Sequence, residues 1–172
     1  IGNVTGQKDT AIANRNKSIQ VGSGFWQYDL MQKFLYQQTE NISHTVNVQF
    51  SNSSNIPRYD RLAVETSSGL KDAEWYYGPQ TRLLALYDFN WKNAGPFSNV
   101  SIGVNYQRLI ESRNNRGFGK TWRAERTEKI HVAGFHADFK KTFKHDELTF
   151  GVEGQFNDLK STALQRDINV DT

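Results

Sequence analysis

The chain has 172 residues, of which 37% are hydrophobic and 13% aromatic, with 21 basic and 18 acidic side chains. No stretch approaches the ~20 apolar residues of a transmembrane helix, and a net charge of +3 spread along the chain lacks the clustered basic excess of a nucleic-acid-binding protein. Cysteine is absent, which excludes disulfides and thiolate metal sites.

Six segments in which apolar and polar residues alternate follow one another along the chain. This period of two predicts β-strands with two different faces, over residues 26–36, 42–50, 81–91, 100–107, 132–140 and 148–156. One face would carry Trp26, Tyr36, Val46, Phe50, Leu83, Phe89, Ile102 and Phe150, and the other Gln49, Arg82, Asn105, Glu153 and Gln155. We predict an all-β fold: an antiparallel up-and-down meander, paired in sequence order, with almost no helix.

The connections between these segments differ in length. Those over 38–41, 93–99 and 142–146 are short, whereas those over 52–78 and 111–127 are long and polar. Short turns that alternate with long loops are typical of outer-membrane β-barrels. The sequence therefore predicts about six strands of a transmembrane β-barrel, with short periplasmic turns and long extracellular loops.

The termini suggest how the chain is organised. The first residue is Ile1 rather than methionine, and no signal peptide follows it. We expect residues 1–24 to form an extracellular loop, 25–157 to contain the six strands, and 158–172 to begin the next extracellular loop. On this interpretation the 172 residues are part of a larger barrel.

Motifs that would carry chemistry are weak. GFGKT at 117–121 resembles the end of a phosphate-binding loop, but that motif requires glycine where Asn114 stands. His131 and His136 would face opposite sides of one strand and could not share a metal ion. No nucleophile–base–acid arrangement is recognisable, so we expect neither an enzyme nor a cofactor or metal site.

The long loop over 52–78 combines arginine with aromatic residues, a composition enriched at recognition hot spots. Its candidates for substrate capture are Arg58, Tyr59, Asp60, Arg61, Trp75, Tyr76 and Tyr77, and the basic segment after residue 110 adds Arg113 and Arg116. Two alternatives stay open. The three consecutive aromatic residues could form the outer aromatic girdle, and the basic segment could be a solvated loop or contact anionic outer-membrane lipid.

Four stretches follow one another in this order: SNSSNIPRYDRL, AEWYYGPQTRLLALYDFN, VNYQRLIESRNNRGF and FKKTFKHDELTFGVE. Together they resemble the barrel of TonB-dependent outer-membrane receptors of the haem, haemoglobin and iron-complex branch. The resemblance implies a 22-stranded barrel closed by a plug in the outer membrane of a Gram-negative bacterium. It also implies import of haem or an iron complex with energy from TonB, and contact with lipopolysaccharide. No plug-like segment, TonB-contacting box or closing C-terminal strand is recognisable, so TonB would be contacted through a missing plug domain.

Two other functions remain compatible with the residues. One is a small stand-alone membrane barrel, for which the chain length is suitable. The other is a soluble ligand-binding barrel or sandwich, whose apolar face would be interior. Only the second would be a stable monomer in water without detergent.

Overall fold

The computed structural model describes residues 9–170 as an antiparallel sheet with one helix of four residues. The strands are β1 (Gln27–Gln37), β2 (Ile42–Ser53), β3 (Ile56–Pro57), β4 (Glu65–Thr66), β5 (Gly69–Leu70), β6 (Asp72–Tyr77), β7 (Thr81–Ala94), β8 (Phe97–Gly117), β9 (Trp122–Thr142) and β10 (Glu147–Asp167). The helix α1 (Tyr59–Leu62) lies between β3 and β4.

The predicted all-β meander is confirmed. The six predicted segments lie in β1, β2, β7, β8, β9 and β10, and these strands pair antiparallel in that order. Residues 38–41, 95–96 and 143–146 form the short turns at one end of the sheet, which we call the turn end. The opposite end, where residues 58–71 and 118–121 connect strands, is called the loop end.

The region over 52–78 is more regular than the predicted long loop. β3 continues the line of β2 past residues 54–55, and β6 continues the line of β7 past residues 78–80, so that β3 pairs with β6 and β6 with β8. Only residues 58–71 leave the sheet, as α1 and the β4–β5 hairpin. Turn-forming residues interrupt the strands and hide their continuation from sequence patterns.

Gly78 makes one of these interruptions possible. Its φ of +88° lies in the left-handed region, and a Cβ there would lie 2.9 Å from the Ser54 carbonyl oxygen. The Gly78 amide donates to the Ser112 carbonyl at 2.9 Å, and the Ser53 amide donates to the Gln80 carbonyl at 3.0 Å. Glycine thus permits a bulge whose backbone groups remain paired.

The predicted long connection over 111–127 is wrong. β8 continues to Gly117 and β9 begins at Trp122, so a turn of residues 118–121 joins them. In this part of the hairpin both faces carry polar side chains, and the apolar–polar contrast that reveals a strand disappears although the backbone ladder continues. The expected alternation of short and long connections therefore holds only in part.

The ends also differ from the predicted boundaries. β10 extends to Asp167, well past residue 157, so the expected loop over 158–172 is mostly strand. Residues 9–24 contain bends and turns and no strand. Residues 1–8 and 171–172, which belong to the two predicted terminal loops, lie outside the described residues.

The register separates the sheet into two faces as predicted. Directly opposed residues share a face, so the cross-strand rows from β1 to β10 place Tyr36, Val46, Phe50, Leu83, Phe89, Ile102 and Phe150 together, and Trp26 stacks on Tyr28 of that face. We call this side the apolar face. The same rows place Gln49, Arg82, Asn105, Glu153 and Gln155 on the opposite side, the polar face.

The sheet has no interior core of its own. Among the described residues, the buried hydrophobic side chains are Leu62, Ala94 and Val100, whereas Val152 is 57% and Phe156 70% exposed on the apolar face. No helix within residues 9–170 is long and apolar enough to cross a membrane. Within residues 9–170, no second layer of secondary structure packs on the apolar face.

Candidate functional site

Arg58 organises a cluster on the polar face at the loop end. Its guanidinium donates two hydrogen bonds to the Asp60 carboxylate, from Nε at 2.8 Å and from Nη2 at 2.7 Å. A third bond runs from Nη1 to the Tyr77 hydroxyl at 3.0 Å, and the Arg58 amide donates to the Trp75 carbonyl. A bidentate pair of this kind fixes both the orientation of the guanidinium and the position of its charge.

Aromatic rings form the base of this cluster. The Arg58 guanidinium lies 5.3 Å from the ring centroids of both Trp75 and Tyr77, and these rings meet edge to face with centroids 5.0 Å apart. The Arg61 guanidinium also lies over Trp75, 5.9 Å from the ring centroid. Trp75 therefore carries two guanidinium groups, a cation–π arrangement that holds positive charge against a flat apolar surface.

The pKa values agree with this geometry. The hydrogen bonds that Arg58 donates to Asp60 lower the pKa of the Asp60 carboxyl below its usual value, and the same bonds raise the pKa of Arg58. Both groups therefore remain ionised at neutral pH. Because the pair is open to solvent, it orders the loop rather than stabilising the whole sheet.

Tyr59 is adjacent in sequence but faces another part of the surface. It is 43% exposed and borders a depression of about 340 Å³ between α1 and the segment before β1, which Ile12 and Val21 also line. Among the described residues, no hydrogen bond, ion pair or ring contact joins the Tyr59 side chain to the Arg58 cluster. Of the predicted capture residues 58–61 and 75–77, the structure brings together Arg58, Asp60, Arg61, Trp75 and Tyr77.

Arg113 extends the cluster along the polar face. It lies directly opposite Tyr77 in the β6–β8 ladder and opposite Arg126 in the β8–β9 ladder. Tyr77 thus separates the paired Arg58 from the two arginines of the hairpin. Arg126 was not among the predicted site residues, because its proximity depends on the β8–β9 register beyond the recognisable strands.

Tyr76 and Arg116 lie on the other side of the sheet. Tyr76 pairs with Asn114 on the apolar face, where burial raises the pKa of its hydroxyl. Arg116 is only 2% exposed. Its guanidinium donates to Asp9 at 2.8 and 2.9 Å, to Glu74 at 2.9 Å and to the Lys120 carbonyl at 2.7 Å. These bonds occupy Nε and both terminal nitrogens, so Arg116 has a structural role here.

Arg116 belongs to a network that ties four strands together, β6, β8, β9 and β10. Glu74 accepts a bond from Arg123 at 3.4 Å, Arg123 pairs with Glu125 at 2.8 Å, and Arg166 lies 3.5 Å from the same Glu125 carboxylate. The sequence suggested only a basic segment in this region. Glu125 belongs to that segment, but Asp9 and Glu74, the acidic partners of Arg116, come from the segment before β1 and from β6, which local pattern analysis could not connect.

Two histidines show the separation of the faces. Nδ1 of His131 and the Tyr106 hydroxyl form a hydrogen bond of 2.7 Å on the apolar face. On the polar face, His136 lies 3.7 Å from Asp88, above Gly103. The prediction that these histidines face opposite sides of β9 is confirmed. Within residues 9–170, no group of three or more histidine, aspartate or glutamate side chains is arranged to hold a metal ion.

The geometry defines a class: an all-β protein with one apolar face, one polar face, and an arginine–aromatic cluster at the loop end of the polar face. No protein-family model, curated protein or solved structure matches this chain.

Proposed function

We propose that this chain is part of an outer-membrane active-transport receptor of a Gram-negative bacterium, which binds and imports a scarce nutrient. The observation that carries the proposal is a two-faced sheet with almost no core, whose apolar face is fully in register across six strands. In water such a face has no partner. In a membrane barrel it contacts lipid, and the polar face lines the interior.

The height of the apolar face suits a bilayer. In β2 it extends from Ile42 to Phe50, which is nine positions, close to the ~9–11 residues of a tilted transmembrane strand. In β8 and β9 it ends at the hydrogen-bonded Tyr106 and His131. Beyond Tyr106, the next two rows on that face contain Arg108 with Asp158 and then Lys129 with Lys160, so charge marks the upper limit of the apolar region.

Aromatic and histidine side chains mark the turn end of this region. His44 hydrogen-bonds the Tyr87 hydroxyl at 2.8 Å and stacks on Tyr36 with centroids 5.8 Å apart. Phe139 stacks on Phe150 at 5.4 Å, farther along the sheet. Rings with a polar atom favour the boundary between hydrocarbon and headgroups, as in the aromatic girdles of membrane barrels.

The charged rows beyond the apolar region supply a place for anionic lipid. Lys129 and Lys160 lie directly opposite each other on the apolar face, one row beyond Arg108 and His131. Cations at this level would meet the phosphate groups of lipopolysaccharide or other outer-membrane lipid. This supports the lipid-contact interpretation for part of the basic segment.

The Arg58 cluster is the proposed capture surface. It lies at the loop end of the polar face, where an interior-facing site would meet solutes from outside. We assign Arg58, Asp60, Arg61, Trp75 and Tyr77 to it, with Arg113 beside them. Arg116 is left out because its guanidinium is occupied by structural partners, and Tyr76 because it lies on the other face.

The nature of the cargo and the source of energy come from the sequence resemblance. Haem or an iron complex is the proposed cargo, and TonB, acting through a plug domain, is the proposed energy-transmitting partner. Tyrosine and arginine can bind the carboxylates of such a cargo, and tyrosine is an established type of haem-iron ligand.

Deletion of residues 58–62 from the natural protein tests this function. We expect the deletion to abolish growth on haem or on a ferric chelate as sole iron source, with the protein still inserted in the outer membrane. Trp75→Ala should weaken cargo binding, whereas the control Trp122→Ala, at an exposed tryptophan of the loop end, should not. Unchanged growth and cargo binding after the deletion would reject the capture surface.

A further inference from the structure

Two arginines face each other across the loop end of the β8–β9 hairpin. Arg113 and Arg126 are directly opposed in the register and point to the polar face, and both are exposed. Directly opposed residues of an antiparallel pair have Cβ atoms about 4.5–5.5 Å apart. Like charges on directly opposed residues repel each other and destabilise the pair.

Neither guanidinium forms an ion pair within 4.0 Å in the described residues. The ion pairs within 4.0 Å join Arg58, Arg61, Arg116, Arg123 and Arg166 to carboxylates, and they include neither Arg113 nor Arg126. The neighbouring network on the apolar face shows that this hairpin can pair its arginines. The two that point to the polar face remain free to bind a ligand.

The adjacent row repeats the pattern with the opposite sign. Glu111 and Glu128 are directly opposed, two positions nearer the turn end on the same face. Together with Tyr77 and Ser112, the four charged residues line a depression of about 140 Å³. The charges are thus sorted by row, so that one side of the depression is positive and the other negative.

We propose that Arg113 and Arg126 form a binding subsite for a multiply charged anion that carries carboxylate or phosphate groups. An anion between the two guanidinium groups replaces their repulsion with charge-assisted hydrogen bonds, which arginine makes in bidentate form to both group types. Glu111 and Glu128 repel the anion and so restrict it to the side of the depression formed by the two arginines. The role of this subsite in cargo capture rests on the proposed function, but its binding chemistry does not.

Isothermal titration of the full chain in detergent micelles at low ionic strength tests the subsite, with citrate and pyrophosphate as separate probes. We expect saturable binding of at least one probe, weakened about tenfold or more by Arg113→Gln and by Arg126→Gln. The control Arg108→Gln removes the same charge from the apolar face and should leave binding unchanged. Glu111→Gln should strengthen binding, because it removes a repelling carboxylate.

Absence of saturable binding by both probes would overturn the proposal, as would equal losses in all three arginine variants. The two probes distinguish a carboxylate-bearing cargo from a phosphate-bearing one. Failure of the subsite is distinguishable from failure of the proposed function, because titration in micelles requires no import. A protein that binds the anion but supports no growth on iron sources would keep the subsite and lose the transport role.

Discussion

Asp9 binds Arg116 across 107 positions of the chain, with its two carboxylate oxygens 2.8 and 2.9 Å from the guanidinium nitrogens. The carboxylate also accepts the Gly119 amide at 2.7 Å. Asp9 and Arg116 are both buried, and Arg116 has Glu74 as a second partner. This contact attaches the segment before β1 to the end of β8 and to the turn between β8 and β9.

Removal of the guanidinium should release that segment. Arg116→Met leaves Asp9 buried without its partner, which costs about 3–5 kcal/mol in buried pairs. We expect residues 9–24 to undock and trypsin to cleave faster at Arg15 and Lys17. Asp60→Ala is the control, because it removes a carboxylate from the solvent-exposed pair with Arg58, where screening by water leaves little contribution to stability. Equal cleavage rates in the two variants would contradict the role of the buried pair.

Docking of the segment should also depend on pH. Hydrogen bonds from Arg116 lower the pKa of Asp9 below the usual 3.8. A lowered pKa in the docked state means that docking is favoured above pH 3.8 and is lost as the pH falls through the lower value. Hydrogen exchange of residues 9–24, corrected for its intrinsic pH dependence, should show protection at neutral pH that disappears in this acidic range.

In Arg116→Met this acidic transition should be missing. Wild-type protection that does not fall in acid would show that the Asp9 carboxylate is not what holds the segment.

Substitution by arginine should separate the two faces. Val46 lies in the middle of the apolar face, between Phe34 and Tyr87, whereas Gln49 lies on the polar face between Met31 and Leu84. Val46→Arg should lower the free energy of unfolding in lipid bilayers by about 2–4 kcal/mol if the position is near the midplane. Gln49→Arg should cost much less, and equal costs would argue against lipid contact.

The outer edges of the sheet should make the isolated chain associate in water. β1 pairs only with β2, and β10, a strand of 21 residues, pairs only with β9, so each leaves one row of backbone groups unpaired within the described residues. Unpaired edges beside a wide apolar face favour aggregation or strand exchange. Light scattering should detect large or mixed species without detergent. A monodisperse monomer would instead favour the soluble-domain alternative.

The sequence predicted those parts of the fold where the two faces differ in polarity. Val46, Val48 and Phe50 alternate with polar residues, so β2 was recognisable, and its register then followed from the short turn at 38–41. Beyond Glu111 the same strand geometry continues, but Arg113 and Arg116 occupy opposite faces and look alike in the sequence. Strand length is determined there by backbone pairing with a neighbour, which leaves no trace in a polarity pattern.

The candidate site, too, was predictable from the sequence only in part. The cluster of Arg58 with Trp75 and Tyr77 was predictable as a composition, since arginine and aromatic residues lie close together in one segment. Which residues face each other was not, because Tyr76 and Tyr77 are adjacent in sequence yet lie on opposite faces. The pairing of Arg113 with Arg126 needed the register of β8 and β9.

Contact between the apolar face and lipid is tested most directly by labelling adjacent positions of β10. The chain contains no cysteine, so Val152→Cys and Glu153→Cys can each carry a single fluorophore in bilayers that contain brominated lipid. Val152 lies on the apolar face opposite Ala137, and Glu153 on the polar face opposite His136. Lipid contact of the apolar face predicts strong quenching at position 152 and little at position 153. Equal quenching at both positions, or stronger quenching at 153, would contradict it.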